Sequence, residues 1–508
     1  MRGPRAWLIP DVALVGALVT LGYCLLLWDG PRRLFRDADT GWHIRTGEWI
    51  VSHGRLPRAD PYSFSRSGAP WVAWEWGADL LMGGIHRLTG LSGIAWLYAV
   101  AIGASVWLWF RLHWQVGGDF LLACAMAPPM LSTANLHWLA RPHVFGWIFT
   151  LLAVWRCERA GTRFRLREAA LVAAASALWA NLHASFFLGP LIAAIYAAGH
   201  WVAPRLWREA PSDSTARARW LAWAAAASLA GTLLNPYGWR LHWHVARYLA
   251  DRELLARIGE FQTFNFHAEG AGQILLAVGL AGLGAAAALA GGRPSHFLAL
   301  VLLVAGSLRV ARLLPLVALV GLPLANGAIT AALRRAAVSD GLREGVRRRL
   351  RRLLEYSARL RALDRWHHGA LWATIVPLAA WLWLMQPSVR ARTGFPPDQF
   401  PLHAAEAVQR LPADAKLLST DKFGGFLIYR FAGRRKVFFD GRSDFYGAEF
   451  LKRYGRLMAV RPGWPQTIEA YGFTHALLPP DSSLAAALQA AGWRRLAEDR
   501  AAVLLERP

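Results

Sequence analysis

Long apolar runs divide this chain into blocks separated by short polar breaks. The runs are Val12–Trp28, Leu91–Phe110, Phe120–Leu136, Val144–Trp155, Ala169–Ala180, Phe186–Val202, Trp220–Leu234, Ile274–Ala290, Phe297–Leu308, Leu313–Ile329 and Leu371–Met385. An upright transmembrane helix needs roughly 20 apolar residues, and several runs are shorter. A succession of about eleven nevertheless predicts a polytopic α-helical membrane protein and not a large soluble core. After Met385 the rhythm changes. Lys416–Ser419, Phe426–Tyr429, Lys436–Phe439, His475–Leu478 and Ala502–Leu505 read as short strands, and His403–Arg410 and Ser483–Ala491 as helices. A small α/β domain of roughly 110 residues is expected there.

Between the first two runs lies a long loop, Asp29 to Gly90. In it Trp42, Ile44, Trp49 and Ile50 recur at helical spacing, with His43, Arg45 and Glu48 between them. This predicts an amphipathic helix lying in the membrane interface, its tryptophans at headgroup depth. The chain then divides into residues 1–90 (first span and acidic outer loop), 91–389 (helical bundle, with a basic loop at 333–367) and 390–508 (the α/β domain).

Composition agrees with the pattern: 508 residues, 55% hydrophobic, with 27 Trp. The net charge of +24 invites a nucleic-acid reading. The positions of the basic residues argue against it. Arg334–Arg365, the cluster Arg156/Arg159/Arg163/Arg165/Arg167 and the cluster Arg205/Arg208/Arg217/Arg219 fall in alternate breaks, where the positive-inside rule places cytoplasmic loops. They serve orientation and contact with anionic lipid, and nucleic acid is not a partner. Arg2 and Arg5 put the N-terminus in the cytoplasm as well, and an odd number of crossings puts the tail outside. The three cysteines, Cys24, Cys124 and Cys157, avoid the outer loops, so no disulfide framework is implied. No small-x-small site follows Trp28, so the first run reads as a signal anchor that stays attached. Neither a P-loop nor a dinucleotide-binding glycine fingerprint is present.

This topology collects the costly polar residues on the outer side. Asp37, Asp39, His43 and Glu75 lie on the first outer loop. His137, Arg141, His143, then Asn181 and His183, then Asn235, Tyr237, His242 and His244, then Glu260, Asn265 and His267, and finally Arg309 and Arg312 occupy successive outer turns. Ionisable groups beside a bilayer are retained when paired or functional. A carboxylate there can deprotonate a hydroxyl, and an arginine can hold a phosphate leaving group, which suits Arg141, Arg309 or Arg312. Asp37 and Asp39 point the same way if the backbone is extended and diverge on a helix. A divalent ion between them requires the extended form. Asp39 is placed to cap the helix that follows, whereas Asp37 has no such structural role. Arg309 and Arg312 share a face if helical. Asp440, Arg442 and Asp444 fit an internal salt bridge of the tail.

Asp37-Ala38-Asp39-Thr40-Gly41-Trp42-His43, Trp74-Glu75-Trp76 and Ala140-Arg141-Pro142-His143 resemble the GT-C superfamily of membrane glycosyltransferases, which includes protein-mannosyltransferase-like and lipid-A-sugar-transferase-like enzymes. Asn181-Leu182-His183-Ala184-Ser185, Asn235-Pro236-Tyr237-Gly238 and Phe439-Asp440-Gly441-Arg442-Ser443-Asp444-Phe445-Tyr446-Gly447 are similar to an uncharacterised bacterial branch of it. The resemblance implies a GT-C-like bundle in the bacterial cytoplasmic membrane and a polyprenyl-phosphate sugar donor. It implies transfer with inversion on the outer face, to a lipid, glycan or protein acceptor. Asp37 or Asp39 is then the catalytic base, with His43, Glu75 and His183 in support. Some members use a divalent cation such as Mg or Mn and others none, and Asp37 and Asp39 are the ligands if one binds. The competing expectation is a non-catalytic assembly or transport protein of the envelope that retains the bundle. Scattered outer polar residues favour that reading, and convergence on one cavity favours the enzyme.

Overall fold

In the computed structural model, residues 4–208 and 211–508 are described. Arg2 and the Arg5 side chain, assigned above to the cytoplasm, lie outside what is described. Every predicted apolar run falls on a helix. The first nine helices are α1 (Val12–Leu26), α2 (Asp39–His53), α3 (Trp76–Gln115), α4 (Phe120–Ala134), α5 (His143–Glu158), α6 (Leu166–Leu182), α7 (Leu188–Leu206), α8 (Ser214–Thr232) and α9 (Trp239–Ala250). The bundle continues through helices Ala271–Ala290, Pro294–Arg309, Leu322–Ala336 and Ala370–Leu384. Four segments, Trp76–Gln115, Ala184–Leu206, Ala271–Ala290 and Ala311–Ala336, are long and apolar enough to cross a membrane. Val12–Leu26, Pro294–Arg309 and Ala370–Leu384 are shorter apolar helices. The chain is a multi-pass membrane protein.

Charge is segregated along the bundle axis. At the start of α1 the Asp11 carboxylate accepts the Leu14 N–H (2.9 Å) and pairs with Arg111 (3.0 Å). The Val12 N–H donates to Asp364 (2.7 Å), the last residue of the arginine-rich helix Glu344–Asp364. These carboxylates satisfy orphan amides at a helix start that burial would otherwise leave unpaired. They also pin the basic helix to the end of α1 remote from Asp37. The other two basic clusters flank the far ends of α5, α6, α7 and α8, so these three arginine clusters lie at the end of the bundle away from Asp37.

The first loop departs from the interfacial arrangement expected. α2 is a helix, but Trp42, His43, Ile44 and Thr46 are buried. It is wedged between α3 and the tail, not laid in the headgroup layer. Glycine makes the close approach possible: a Cβ on Gly47 would overlap the Asp79 carbonyl, and one on Gly41 would overlap the Gly425 carbonyl. α3 bends at Gly90, whose positive φ of 69° separates an outer half from the apolar half that begins at Leu91.

The tail carries a four-stranded sheet, β1 (Leu417–Ser419), β2 (His475–Leu478), β3 (Arg494–Glu498) and β4 (Val503–Glu506), in the order β1-β2-β4-β3. β1 and β2 are parallel and the other pairs antiparallel. Two expected strands are absent among the described residues. Phe426–Tyr429 lies in the helix Asp421–Arg430, capped by Thr420, whose hydroxyl accepts the Phe423 N–H (3.1 Å). Phe423 to Ile428 are all buried, so no one-sided pattern separates helix from strand. Lys436–Phe439 makes a single bridge, Val437 with Ser63 of the first loop. Conversely, β3 is an exposed, charged edge strand that carries no apolar signal.

Candidate functional site

Arg141 is the centre of the pole that carries the first loop. Its loop is strapped to the first loop through backbone: the Ala140 N–H donates to the Leu34 carbonyl (2.8 Å), and the Thr40 hydroxyl donates to the Ala140 carbonyl (3.0 Å). Arg141 Nη1 then lies 2.8 Å from Asp37 Oδ2, and Nη2 lies 2.8 Å from Asp39 Oδ2. Nη1 also reaches Glu260 Oε1 (3.1 Å), whose other oxygen pairs with Arg312 (3.0 Å). One guanidinium thus ties two first-loop acids to a loop distant in sequence, a planar fork matched to carboxylates.

The helix-start role expected of Asp39 falls to Asp37. Asp37 Oδ1 accepts the Asp39 N–H (2.8 Å) at the start of α2, so Asp37 does the capping. Asp39 begins the helix and accepts the Trp42 indole N–H (3.1 Å). They reach the same arginine from a turn, not from extended chain, because Ala38 between them is helical (φ −70°, ψ −21°). The Arg141 guanidinium fills the space between the carboxylates. Among the described residues no group of three or more His, Cys, Asp or Glu converges as a metal site. The first-loop acids are therefore arranged for a guanidinium and do not fit a divalent ion.

Glu75 sits beside this cluster, buried between two histidines. His183 Nε2 is 3.4 Å from Oε1 and His43 Nε2 is 3.6 Å from Oε2. His183 Nδ1 accepts the Ser185 N–H (3.1 Å), which leaves the ring proton on Nε2, aimed at Glu75. His43 Nδ1 lies 2.5 Å from Asp79 Oδ1. Burial pushes the Glu75 carboxyl up to about 7, against the pull of Arg141 and Arg312. Burial also pushes Asp39 up to about 7, opposed by Arg141 and reinforced by the Asp37 carboxylate. Burial acts on Glu260 too, but Arg312 and Arg141 outweigh it and hold that carboxyl below its usual range. Burial holds His43 and His183 well below the usual imidazole range.

Asp37, Asp39, Glu75, Arg141, His183 and Arg312 all line one cavity of about 1070 Å³. His43 stands behind Glu75. Arg309 is exposed and does not line the cavity. Its helix ends there and Val310 is extended (φ −134°, ψ 106°), so Arg309 and Arg312 do not share a face. Away from the charged end, the walls are apolar, formed by Leu188, Leu191, Ile192 and Ile195 of α7 with Leu302 and Leu303 opposite.

The tail closes the charged end with Asp421, Lys422, Arg442, Ser443 and Asp444. Asp444 pairs with His244 (3.1 Å), and Ser443 and Tyr248 hydroxyls lie 3.2 Å apart. Arg442 is buried against Asp440 (2.7 Å) and, across to the first loop, Asp60 (2.8 Å). The internal tail salt bridge is present and also joins tail to loop. Sequence reasoning passed over Asp79 and, in the tail, Asp421 and Lys422. The four-residue spacing of Glu75 and Asp79 was a usable signal for the first.

No family model matches the sequence, and no curated protein matches it. The fold does have solved counterparts. Archaeal oligosaccharyltransferase AglB from Archaeoglobus fulgidus, in complex with an inhibitory peptide and a dolichol-phosphate, superposes with a TM-score of 0.53 at 11% identity, over 92% of this chain and 69% of that one. The Archaeoglobus fulgidus oligosaccharyltransferase tethered to an acceptor peptide gives 0.51 at 11% identity, over 92% and 68%. This chain has the GT-C fold. ArnT from Cupriavidus metallidurans bound to undecaprenyl phosphate aligns over 97% of this chain and 96% of that one, at 16% identity and a TM-score of 0.45. Within this fold the first loop, Arg141 and the tail meet at one end of the bundle.

Proposed function

We propose that this protein is an inverting glycosyltransferase that moves a sugar from a polyprenyl-phosphate donor to an acceptor hydroxyl of a lipid, glycan or protein. The reaction is placed on the outer face of a bacterial cytoplasmic membrane, with the N-terminus cytoplasmic and the tail periplasmic. The observation that carries this reading is the cavity: a pole of four arginines, one lysine and six carboxylates continuing into an apolar groove between bundle helices. That sequence of surfaces suits a ligand with a phosphate head and a hydrocarbon tail. Convergence of outer polar residues from distant loops supports an enzyme over a non-catalytic bundle.

In this reading Arg141 and Arg312 face the phosphate and stabilise the charge it gains as it leaves. Asp37, Asp39 and Glu260 hold those guanidiniums in place. The acceptor oxygen bonds to the anomeric carbon as the carbon–phosphate oxygen bond breaks on the opposite side, and a cavity carboxylate takes the hydroxyl proton. Asp39 and Glu75 are the two that burial brings near neutrality, where a general base works best. The test supplies the purified full-length protein with undecaprenyl-phosphate sugars and an envelope lipid extract. Undecaprenyl phosphate is expected to be released together with a glycosylated product. Absence of release from every donor, or full turnover in both Asp37→Asn and Asp39→Asn, overturns the reading.

A further inference from the structure

The first-loop acids are poor proton acceptors as arranged, because each already holds Arg141 at 2.8 Å. Glu75 is different. It lines the cavity, and among the described residues no lysine or arginine lies within ion-pair distance of it. Behind it the buried His43 continues to the buried Asp79. Two atoms along this line lack any hydrogen-bond partner among the described residues, His43 Nε2 and Asp79 Oδ2. An unsatisfied buried nitrogen facing a carboxylate, and an unsatisfied buried carboxylate oxygen at the end of the line, are costly to retain. Gly47 lets α2 and α3 approach closely enough to bring these groups together.

We propose that Glu75, His43 and Asp79 form a buried proton relay, with Glu75 the catalytic base and His43 and Asp79 positioning residues that draw the proton out of the cavity. This rests on the transfer reading and assigns the base to Glu75 instead of Asp39. As the acceptor oxygen bonds to the anomeric carbon, the electron pair of the broken bond stays on the phosphate. The hydroxyl proton goes to a Glu75 carboxylate oxygen. Glu75 Oε2 then gives a proton to His43 Nε2 while His43 Nδ1 gives its own to the Asp79 carboxylate at Oδ1; as product leaves, both transfers reverse and Glu75, which lines the cavity, releases the proton to water there, which resets the site. His183, its ring proton on Nε2, orients the other oxygen of Glu75. The remaining charged groups facing Glu75 are Arg141, Arg312 and Asp444, which are common to every variant below.

The full-length protein in lipid nanodiscs is examined by pH-difference infrared spectroscopy, with Glu75→Gln, His43→Gln, Asp79→Asn and Glu75→Asp. A carboxyl band titrating near neutral pH is expected in the parent. It is lost in Glu75→Gln and displaced in His43→Gln and Asp79→Asn. With undecaprenyl-phosphate sugar and envelope extract, Glu75→Gln is expected to lower kcat on the order of 100-fold with unchanged affinity for undecaprenyl phosphate, and Glu75→Asp to restore part of it. His43→Gln and Asp79→Asn lower kcat and move the acid limb of its pH profile without changing that affinity. Retention of the band or of full kcat in Glu75→Gln overturns the proposal. So does a fall in His43→Gln and Asp79→Asn that tracks lost binding or thermal unfolding alone. If the parent protein transfers no sugar, the transfer reading falls and Glu75 is not a base, while the infrared arm still reports whether the three groups share a proton.

Discussion

Gly441→Ala isolates the contact between the tail and the first-loop acids. A Cβ at this position would overlap Asp39 Oδ1 and stand 2.9 Å from its Cγ and 3.2 Å from Oδ2. Ordinary carbon contacts are about 3.5–4.0 Å, so the carboxylate or the tail backbone has to retreat on the order of 1 Å. Gly441 is not among the residues with positive φ, so alanine meets no backbone penalty and the effect is steric. The carboxylate cannot move freely, because it is held by Arg141 at 2.8 Å and by the Trp42 indole at 3.1 Å. Overpacking of this kind costs about 1–3 kcal/mol. A misplacement of about 1 Å in a catalytic cluster lowers rate by roughly 100-fold. The assay is undecaprenyl phosphate release by the purified protein, read beside its thermal unfolding. Gly455→Ala is the control: it lies inside the helix Ala448–Met458 where a Cβ meets nothing within 4 Å, and the change is expected to stabilise by about 0.5–1 kcal/mol. Parental turnover and melting in Gly441→Ala would refute the claim that the tail backbone sets the position of Asp39.

Three further outcomes follow from the same geometry. Arg312→Ala is expected to weaken undecaprenyl phosphate binding on the order of 10-fold, whereas Arg309→Ala, altering an exposed residue outside the cavity, leaves it unchanged in the same titration. Arg442→Met removes the cation between Asp440 and Asp60 and leaves buried carboxylates unpaired, at a cost of about 3–5 kcal/mol, measured as a lowered melting temperature with easier proteolysis of the tail. The pH dependence has a definite sign. Asp39 and Glu75 have folded-state values near 7, above their ordinary 3.8 and 4.5. The stability their protonated forms contribute is full below about 4 and is lost as pH rises through about 7. Transfer, which needs an ionised base, runs the other way and falls below about 7. Melting temperatures and kcat across pH 4 to 9 check both limbs.

The helical bundle was legible because apolar runs and basic breaks are local in sequence and the bilayer imposes the same rule on each of them. Asp37, Asp39, Glu75, Arg141, His183 and Arg312 were legible as candidates for a related reason: ionisable residues beside apolar runs stand out against their neighbours. The tail was only half legible. β1, β2 and β4 follow from apolar runs, but the helix Asp421–Arg430 is buried on every side and reads equally well as a strand.

The sequence by itself determined that the chain is a multi-pass membrane protein, where its apolar helices fall, and that selected acids, histidines and arginines collect at the pole opposite the basic clusters. These follow from the cost of placing polar groups in hydrocarbon, which acts residue by residue. The tertiary structure alone decided which of those groups meet. Asp39 reaches Arg141 across 102 positions of sequence by the numbering, Glu260 reaches both Arg141 and Arg312, and Asp60 reaches Arg442 of the tail. It also turned Asp37 into the cap, set His43 behind Glu75 instead of at the headgroups, and left Arg309 outside. Charge pairing depends on the distance between atoms, and the packing of helices against the tail fixes that distance where spacing along the chain does not.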